Sequence, residues 1–363
     1  MPATDTIFIT GFPGFIAARL VRRLADKDTR FQMLVQPAFM AQAERDVQRI
    51  AEATGKPPDA FRLIPGDITA EENLGMSLAD AEEVQRDAGI IFHLAAVYDL
   101  GVKRDLAMKV NVAGTQNVNR FALSLRALRH YHYVSTCYVA GKRTGMIFEH
   151  ELAHDAGFRN HYEETKYLAE LEVEQMKGEL PITIHRPSVV CGDSQSGETA
   201  KFDGIYYLIN YLRKRPALLA LANIGNPAVR LNIVPVDFIV HALAALARDN
   251  RAIGATLQLA DSAPLTTVEL FDHIARALTH RPSFVRLPPP LVRTTLEKIP
   301  FTDLVTGMPR VAAPYFFIKQ EYDTTHAVEL LRPHGVACPP FDSYVENLVR
   351  FIAAPDANLA GEK

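Results

Sequence analysis

Two residues four positions apart offer the clearest acid–base chemistry in the chain. Tyr162 and Lys166 lie near the start of the run HYEETKYLAELEVEQM, which predicts a long helix with both side chains on one face. A lysine ammonium beside a phenol favours the phenolate and lowers the tyrosine pKa from about 10 toward neutrality. Tyr162 is therefore suited to donate a proton to a carbonyl oxygen, or to accept one from an alcohol.

A hydroxyl group ends the strand that precedes this helix. Residues 131–134 are predicted to form a strand, and Ser135-Thr136-Cys137-Tyr138 follows it. Ligands bind at the carboxyl ends of strands in open parallel sheets. Thr136 can therefore hold the same oxygen that Tyr162 protonates. Cys137 has no histidine placed in the sequence to activate it, so we predict a buried, unreactive thiol, and the same holds for Cys191.

The same spacing recurs at Tyr315 and Lys319. With 12 tyrosines in the chain, a coincidental match is expected. The second pair follows Pro314 in an apolar run, and no predicted strand ending in Ser-Thr precedes it. Context therefore predicts that the first pair is catalytic and that the second is structural.

A glycine turn near the start of the chain offers a phosphate site. It joins a short apolar strand to a helix in which apolar residues recur at helical spacing. Gly11 permits a tight turn, and Gly14 lets the backbone approach a pyrophosphate on the amides of the new helix. Ala17 is small enough for that helix to pack on the strand. Taken alone, the pattern also fits an ordinary strand-to-helix turn.

The end of the second predicted strand, residues 31–35, bears on the choice of cofactor. Gln36 stands where an acid would bind the ribose hydroxyl of NAD. The missing acid favours NADP, although NAD stays open. Arg45, on the next predicted helix, could meet a 2′-phosphate, but a solvated helix face is the simpler use of this side chain.

Two further strand ends fit the same cofactor. Asp67 follows the third predicted strand, where its carboxylate can accept from an adenine amino group, although, taken alone, the residue is better explained as a turn or helix cap. Ala95 and Ala96 follow the fourth, residues 90–94, and their small side chains would let the cofactor pass close. His93 is predicted to pack rather than react, because no partner is placed near it in the sequence.

The alternation of strands with helical patterns predicts an α/β fold. We expect a Rossmann-type, doubly wound parallel sheet with right-handed crossovers and a smaller, mostly helical C-terminal substrate lobe. The dinucleotide-binding domain is predicted to span 1–190, with 231–262 returning to it. The substrate lobe would comprise residues 191–230 and 263–355. Residues 356–363 would form a frayed tail.

Three helices are predicted at particular residues. Asn111 is expected to open one of them, and 205–222 to form another. Thr266 and Glu269 predict a capping box for a helix that continues through Leu278.

Composition excludes several classes of protein. The chain has 363 residues, 48% of them apolar and 22% charged, with a net charge of −3. That is globular, and the absence of a basic block argues against nucleic acid as a partner. Three scattered cysteines give neither a disulfide framework nor a metal site. The N-terminus leads directly into the first strand without a signal peptide, and the most apolar stretch, 216–222, is too short to span a membrane. We predict a cytoplasmic protein.

Seven segments occur in the order typical of extended short-chain dehydrogenases/reductases, which this chain resembles over about residues 5–195. They are TGFPGFIA, GDIT, HLAA, NVAGT, VSTCYVAG, YEETK and RPSVV. Finer features resemble the branch of the fatty acyl-CoA reductases (male-sterility type) and of the reductase domains that release acyl thioesters. These features are GDITAEENLGMS, a helix-bearing insert between strands two and three, RPSVVCGDSQSGET and LNIVPVD.

The resemblance implies a catalytic triad of Thr136, Tyr162 and Lys166, supported by Asn111. In the family the tyrosine transfers the proton, the lysine also binds the nicotinamide ribose, and the asparagine holds a water of the proton relay. Family members often dimerise through the two long helices that flank this site, so a homodimer is expected.

The resemblance also implies which residues would contact the dinucleotide. Residues 11–16 would bind the pyrophosphate. The ends of the third and fourth predicted strands would contact the adenosine, and the residues at the end of the strand before Cys191 would contact the nicotinamide. The implied cofactor-binding residues are Gly11, Phe12, Pro13, Gly14, Phe15, Ile16, Gln36, Asp67, Ile68, Ala95, Ala96, Lys166, Pro187, Ser188 and Val189. The departures are Ala17 in place of a third glycine, and Gln36 where reductases of this branch often carry arginine.

These observations favour an NADP-dependent reductase of an apolar aldehyde, ketone or acyl thioester. The thioester could be carried by coenzyme A or by a carrier protein, and Arg213 to Arg215 could meet its phosphates, although a solvated helix end is the simpler explanation. A nucleotide-sugar epimerase or dehydratase is an alternative, but a dehydratase of this fold usually places Asp-Glu where Cys137-Tyr138 stands.

Two further alternatives stay open at the level of sequence. One is an NAD-dependent hydroxysteroid or other secondary-alcohol dehydrogenase. The other is a dinucleotide-sensing regulator without catalysis, which the retained Tyr162 and Lys166 disfavour.

Overall fold

A seven-stranded parallel sheet forms the centre of the protein. The computed structural model describes residues 5–26, 28–200, 202, 204–214, 223–283, 285–288, 315 and 317–354. The sheet has the order β3-β2-β1-β4-β5-β7-β10. Its strands are β1 (Asp5–Thr10), β2 (Thr29–Val35), β3 (Phe61–Pro65), β4 (Ala88–His93), β5 (His130–Val134), β7 (Ile182–Pro187) and β10 (Thr256–Leu259). Every pairing in it is parallel.

Helices cover both faces of this sheet. They are α1 (Phe15–Leu24), α2 (Met40–Thr54), α3 (Leu78–Asp87), α4 (Arg104–Ala107), α5 (Gly114–Ala122), α6 (His161–Gln175), α7 (Ile205–Lys214), α8 (Val236–Leu246), α9 (Thr267–Thr279), α10 (Thr325–Leu331) and α11 (Val345–Ala353). Alternate side chains of a strand point to opposite faces. Ile7 and Ile9 of β1 therefore join the core under α1, α2, α8 and α10, whereas Phe8 joins the core under α3, α5 and α6.

The strand order reverses between β1 and β4. From β1 the chain proceeds through β2 to β3 on one side, and from β4 through β5 and β7 to β10 on the other. Thr10 and His93 face each other at the carboxyl ends of the two strands where the order reverses. A reversal of this kind opens a crevice at the strand ends, which is where ligands bind in such sheets. The predicted doubly wound α/β fold is confirmed.

A third apolar core lies outside the sheet. It joins α7, α9 and α11 with the parallel pair of β8 (Val189–Cys191) and β9 (Ile233–Pro235). A further parallel pair joins β6 (Gly145–Ile147) to β11 (Gln320–Tyr322). These elements form a mostly helical layer beside the crevice.

Three local expectations can be compared with the structure. The capping box of Thr266 and Glu269 begins α9 as predicted. The expectation that Asn111 opens a helix is wrong, because Asn111 lies in a π-helical turn, Met108–Ala113, that connects α4 to α5. Helix α7 is described to Lys214, so the remainder of the helix predicted to 222 and the tail 356–363 lie outside the described residues.

None of the helices among the described residues is both long and apolar enough to cross a bilayer. Within the same part of the chain, no group of three or more His, Cys, Asp or Glu side chains is arranged to hold a metal ion.

Candidate active site

A cleft of about 700 Å³ opens at the carboxyl ends of β1, β4, β5 and β7. It is large enough for a cofactor or a drug-sized ligand. The glycine turn and Gln36 line one end, and Thr136, Tyr162 and Lys166 line the other. All of the cofactor-binding residues that the resemblance implies line this cleft, as do Thr136 and Tyr162, whereas Asn111 does not.

The glycine turn leaves room for a phosphate group. Gly11 has a φ of +91°, and a Cβ at this position would lie 2.7 Å from the Ala95 amide nitrogen. A Cβ on Gly14 would lie 2.6 Å from the Gly11 carbonyl oxygen. Only glycine fits at these two positions. No side chain caps the start of α1, so its first amides face the cleft and suit a pyrophosphate.

A glutamine–aspartate contact closes the adenosine end of the cleft. Gln36 Nε2 donates to Asp67 Oδ2 at 3.0 Å, and the Thr69 amide donates to Asp67 Oδ1 at 2.8 Å. Arg45 is exposed on α2 and does not line the cleft. Among the described residues that line the cleft, Lys166 is the one cation. This end therefore holds the Asp67 carboxylate and a glutamine amide bound to it, and no arginine or lysine of the described residues lines it.

Lys166 is held by two oxygen atoms at the end of β5. Its Nζ donates to the hydroxyl of Tyr133 at 3.0 Å and to the carbonyl oxygen of Val134 at 2.9 Å. Burial lowers the pKa of Lys166 to about 8, an effect that the nearby Glu170 carboxylate opposes. The ammonium is therefore the main form at neutral pH, and its position is fixed. Sequence reasoning missed Tyr133, although it is three residues before Thr136 on the same strand.

A buried network continues from Tyr133 toward the glycine turn. The Tyr133 hydroxyl bonds with Thr115, whose Oγ1 lies 3.1 Å from His93 Nε2. His93 Nδ1 lies 2.7 Å from Thr10 Oγ1, which accepts from the Ala95 amide. Burial lowers the pKa of His93 to about 3, so this imidazole stays neutral. His93 packs and positions other groups, as the sequence predicts.

Asn111 links the catalytic helix to the loop after β4. Its Oδ1 accepts from the Val97 amide at 2.8 Å, and its Nδ2 donates to Thr165 Oγ1 at 3.0 Å. Thr165 immediately precedes Lys166 in the sequence. Asn111 thus holds α6 against the loop that forms a wall of the cleft, although Asn111 itself does not line the cleft.

Tyr162 and Thr136 face the same end of the cleft. Tyr162 is buried, and the ring of Tyr98 meets its ring edge-on with centroids 5.1 Å apart. Thr136 Oγ1 accepts from the Tyr138 amide at 3.2 Å and donates to the Pro187 carbonyl oxygen at 3.5 Å. Helix α6 starts at this wall because Asn160 caps it, with its side chain accepting from the Glu163 amide. Because the cap fixes where α6 begins, it also fixes the position of Tyr162 along the wall of the cleft.

The second tyrosine–lysine pair does not form such a site. The Tyr315 hydroxyl donates to Glu163 Oε1 at 2.5 Å and accepts from Asn160 Nδ2 at 2.7 Å. Lys319 is exposed. The pair is therefore structural, as its context predicts, and Tyr315 secures a distant part of the chain to the first turn of α6.

A wall of tyrosines encloses the end of the cleft beyond Tyr162. Tyr98 and Tyr138 line the cleft, and Tyr138 also lines a small side cavity of about 20 Å³ together with Tyr315 and Tyr322. Sequence reasoning did not assign these residues to the site. Tyr138, two positions after Thr136, could have been found, because strand ends of parallel sheets carry ligand contacts. Tyr315 and Tyr322 belong to a segment far from Thr136 in the sequence, and no sequence motif links them to the site.

The two cysteines of the site region are unreactive. Cys137 is buried and its thiol donates to the Arg186 carbonyl oxygen at 3.1 Å. Burial raises the pKa of Cys137 and of Cys191 far above the usual thiol range. The thiolate that a nucleophile needs is therefore absent at neutral pH.

Arg213 serves a structural purpose at the end of α7. Its Nη1 donates to the carbonyl oxygen of Ile352 at 2.7 Å, at the end of α11. Arg215 and the side chain of Lys214 lie outside the described residues.

A family of NAD-binding domains, described as male sterility protein, matches residues 9–243. The match covers well over half of the chain. It includes the glycine turn, Thr136, Tyr162 and Lys166.

Two curated relatives show the range of proteins that contain similar sequences. The non-canonical nonribosomal peptide synthetase FrzA of a Cladobotryum species is 23% identical over 387 residues, covering 96% of this chain and 36% of FrzA. An alcohol-forming fatty acyl-CoA reductase of Simmondsia chinensis is 24% identical over 232 residues, covering 50% of this chain and 46% of the reductase. The chain thus spans between about a third and a half of the length of these relatives.

A solved structure shares the whole fold. The terminal R domain from the myxalamid PKS-NRPS biosynthetic pathway superimposes with a TM-score of 0.81 at 22% identity. The superposition covers 100% of this chain and 94% of the other. At this identity the likeness establishes the common architecture.

Proposed function

The chain belongs to the NAD-binding family described as male sterility protein, within the extended short-chain dehydrogenases/reductases, and from that premise we propose that it reduces an apolar carbonyl group with NADP. The observation that carries the proposal is the convergence of Thr136, Tyr162 and Lys166 at one end of a cleft whose other end is a phosphate-sized glycine turn. The nicotinamide cofactor supplies the hydride when it is bound.

The proton would come from Tyr162. Thr136 holds the carbonyl oxygen, and Tyr162 donates its phenolic proton to that oxygen as negative charge develops on it. Lys166, fixed as an ammonium by Tyr133 and Val134, favours the phenolate that remains and lies where it can meet the nicotinamide ribose. Asn111 keeps α6 in place during this step.

The remaining contacts would place the dinucleotide along the cleft. Residues 11–16 bind the pyrophosphate, and Ala95 and Ala96 let its adenosine half pass. Asp67 and Ile68 border the adenine, and residues 187–189 border the nicotinamide. We place the dinucleotide-binding domain at 1–190 together with 231–262, a division that the pairing of β10 with β7 supports.

We expect NADP to be preferred only modestly. Gln36 lacks the charge with which an acid would repel a 2′-phosphate, but the Asp67 carboxylate lies 3.0 Å from it, and no arginine or lysine among the described residues lines that end of the cleft. Phosphate bound by neutral donors lacks the charge-assisted hydrogen bonds that give strong selectivity. The ratio of kcat/KM for NADPH and NADH should therefore stay below about tenfold.

The substrate class follows from the wall of the cleft and from the relatives. The cleft lining includes Val97, Leu106 and Val110, and Val97 packs in the apolar cluster that holds Tyr162, so an apolar chain fits there. A fatty acyl-CoA reductase and a nonribosomal peptide synthetase are among the relatives, which supports an acyl thioester or the aldehyde made from it. A cytoplasmic location and a homodimer stay predictions from the sequence and the resemblance.

Transfer of a labelled hydride tests the proposal. The enzyme is incubated with NADPH carrying deuterium at C4, or with NADH, and with a panel of octanal, 2-octanone and octanoyl-CoA. We expect oxidation of the cofactor, and deuterium on the carbon that carried the carbonyl oxygen. No cofactor oxidation with any member of the panel would contradict the proposed reaction.

A further inference from the structure

We propose that the Tyr138 hydroxyl recognises a small polar substituent close to the reacting carbonyl of the substrate. This inference rests on the proposed function and narrows its substrate class. The preferred substrate would be an apolar aldehyde or acyl thioester that carries a hydroxyl, amino or oxo group one or two carbons from the carbonyl carbon.

Tyr138 lies beside the proposed proton donor in the cleft. It lines the cleft beside Tyr162, and it also lines the side cavity that opens next to Ser188 and Val189. Its backbone amide donates to Thr136 Oγ1, so its position is tied to the proposed holder of the carbonyl oxygen. A group attached near the carbonyl carbon would therefore lie within reach of this residue.

The Tyr138 hydroxyl has bonding capacity to spare. Within the part of the chain that the structure describes, no hydrogen-bond partner of this hydroxyl is found. Two neighbouring polar groups of the side cavity are already engaged, since Ser188 Oγ donates to Asn232 Oδ1 at 2.8 Å and the Tyr322 hydroxyl donates to Gln320 Oε1 at 3.1 Å. Arg230 also lines this cavity and donates to the Pro264 carbonyl oxygen. Because Tyr138 lines both cavities and its hydroxyl has no bond to another of the described residues, this phenol is available to a ligand.

The ring of Tyr138 is held from behind. The Tyr315 ring packs against it with centroids 4.7 Å apart, and Tyr315 is itself fixed by Glu163 and Asn160. Burial raises the pKa of Tyr138, so the hydroxyl keeps its proton and can donate over the whole working range of pH. A donor whose position is fixed before binding loses little entropy when the ligand arrives.

The size of the side cavity sets the size of the substituent. A volume of about 20 Å³ exceeds what a single water needs but holds no second group of that size. A hydroxyl, an amino group or a carbonyl oxygen fits this space, whereas an acyl chain must follow the larger cleft. The geometry thus separates a short polar branch from a long apolar one.

Paired substrates test the inference by turnover. Octanal and 3-hydroxyoctanal differ by one hydroxyl, as do octanoyl-CoA and 3-hydroxyoctanoyl-CoA. For the wild type we expect kcat/KM about tenfold higher for the hydroxylated member of each active pair, the effect of one neutral hydrogen bond. In Tyr138→Phe the two members should differ by less than about twofold. A wild type without preference, or a preference that Tyr138→Phe retains, overturns the proposal.

Tyr167→Phe is the matched control. Tyr167 lies on α6 next to Lys166, but it lines neither the cleft nor the side cavity. This variant loses one phenolic hydroxyl outside both cavities, and it should keep the substrate preference of the wild type. A loss of preference in this variant as well would assign the effect to general loosening and overturn the proposal.

A binding measurement separates this inference from the proposed reaction. Dissociation constants of 1-octanol and octane-1,3-diol are measured by calorimetry with oxidised cofactor present. Tighter binding of the diol than of 1-octanol to the wild type, together with equal binding of both alcohols to Tyr138→Phe, supports recognition by Tyr138. This result would stand even if neither aldehyde is reduced, and in that case only the proposed reaction would be contradicted. Equal binding of both alcohols to the wild type overturns the inference.

Discussion

The chain contains the same tyrosine–lysine spacing twice, and the two copies have opposite surroundings. In the first, a helix places both side chains in the cleft, and Lys166 is buried with two oxygen partners. In the second, the Tyr315 hydroxyl is bound to a buried carboxylate and Lys319 is exposed. We propose that a four-residue spacing serves catalysis only where a strand end and a ligand-sized cavity lie opposite it, as they do at the first pair.

The comparison also shows that the two copies cooperate. Tyr315 donates to Glu163, the residue after Tyr162, and so holds the first turn of α6. Helix α6 presents the first pair, and the segment around the second pair secures that helix. The structural copy is thus part of what positions the catalytic one.

The strongest test of this contrast removes each phenol in turn. Tyr162→Phe takes away the proposed proton donor, so kcat for the preferred substrate should fall about a thousandfold. Tyr315→Phe takes away a structural hydrogen bond, and kcat should fall by less than about tenfold. Steady-state kinetics on both variants, with circular dichroism as a check of folding, decide the matter. Equal losses in the two variants would erase the distinction between the pairs.

The pH dependence provides the next test. The ammonium of Lys166 persists below its pKa of about 8 and is lost above it. We therefore expect kcat/KM for reduction to fall about tenfold per pH unit above pH 8, once the charge beside Tyr162 is gone. Measurements from pH 6 to 10 give the profile.

Two lysine variants show which group causes that alkaline decline. Arginine stays charged over the whole range, so Lys166→Arg should remove the decline even if its activity is lower. Lys319→Met, at the exposed copy, should keep the wild-type profile. A decline that persists unchanged in Lys166→Arg would show that another group titrates.

A smaller effect is expected from the tyrosine hydroxyl that accepts from Lys166. In Tyr133→Phe the ammonium of Lys166 loses one acceptor, so the charged form is less favoured and its pKa falls. The pH at which kcat/KM begins to decline should be lower than in the wild type by about half to one pH unit. Tyr131→Phe, which removes a buried phenol from the same strand, should not move it, because Tyr131 donates to Asn119 instead.

The smallest effect concerns stability at the second copy. Tyr315→Phe leaves the buried Glu163 carboxylate without one of its donors. Its free energy of unfolding should decrease by about 1–3 kcal/mol, the cost of an unsatisfied buried group. Urea unfolding measures this decrease, and Tyr167→Phe serves as the comparison. An unchanged midpoint for Tyr315→Phe would mean that the bond to Glu163 does not hold the helix.

Much of the cofactor half of the molecule could be predicted from the sequence. Strand, glycine turn and helix are adjacent in the chain, so local spacing sufficed for residues 7–24. The strand ends that carry Asp67, Ala95 and Thr136 follow from hydrophobic runs and from the rule that ligands bind at the carboxyl ends of parallel strands. Each of these inferences needs only neighbours in sequence and one general property of the fold.

Other parts of the site could not be predicted in this way. Asn111 lies in a π-helical turn, and neither the turn nor the Asn111 bonds to Val97 and Thr165 have a signal in the spacing of apolar residues. The partner of Lys166, the Tyr133 hydroxyl, is set by which face of β5 meets α6. Each such contact depends on how separate elements pack together.

The sequence by itself determined the doubly wound α/β fold, the glycine turn between β1 and α1, and the helical face shared by Tyr162 and Lys166. These features arise from periodicity and from the conformational freedom of glycine, which act over a few residues. Only the tertiary structure decided which tyrosine–lysine pair faces a cleft, and that Tyr138 stands between two cavities with Tyr315 behind it. Such relations join residues up to 177 positions apart, and packing alone fixes them.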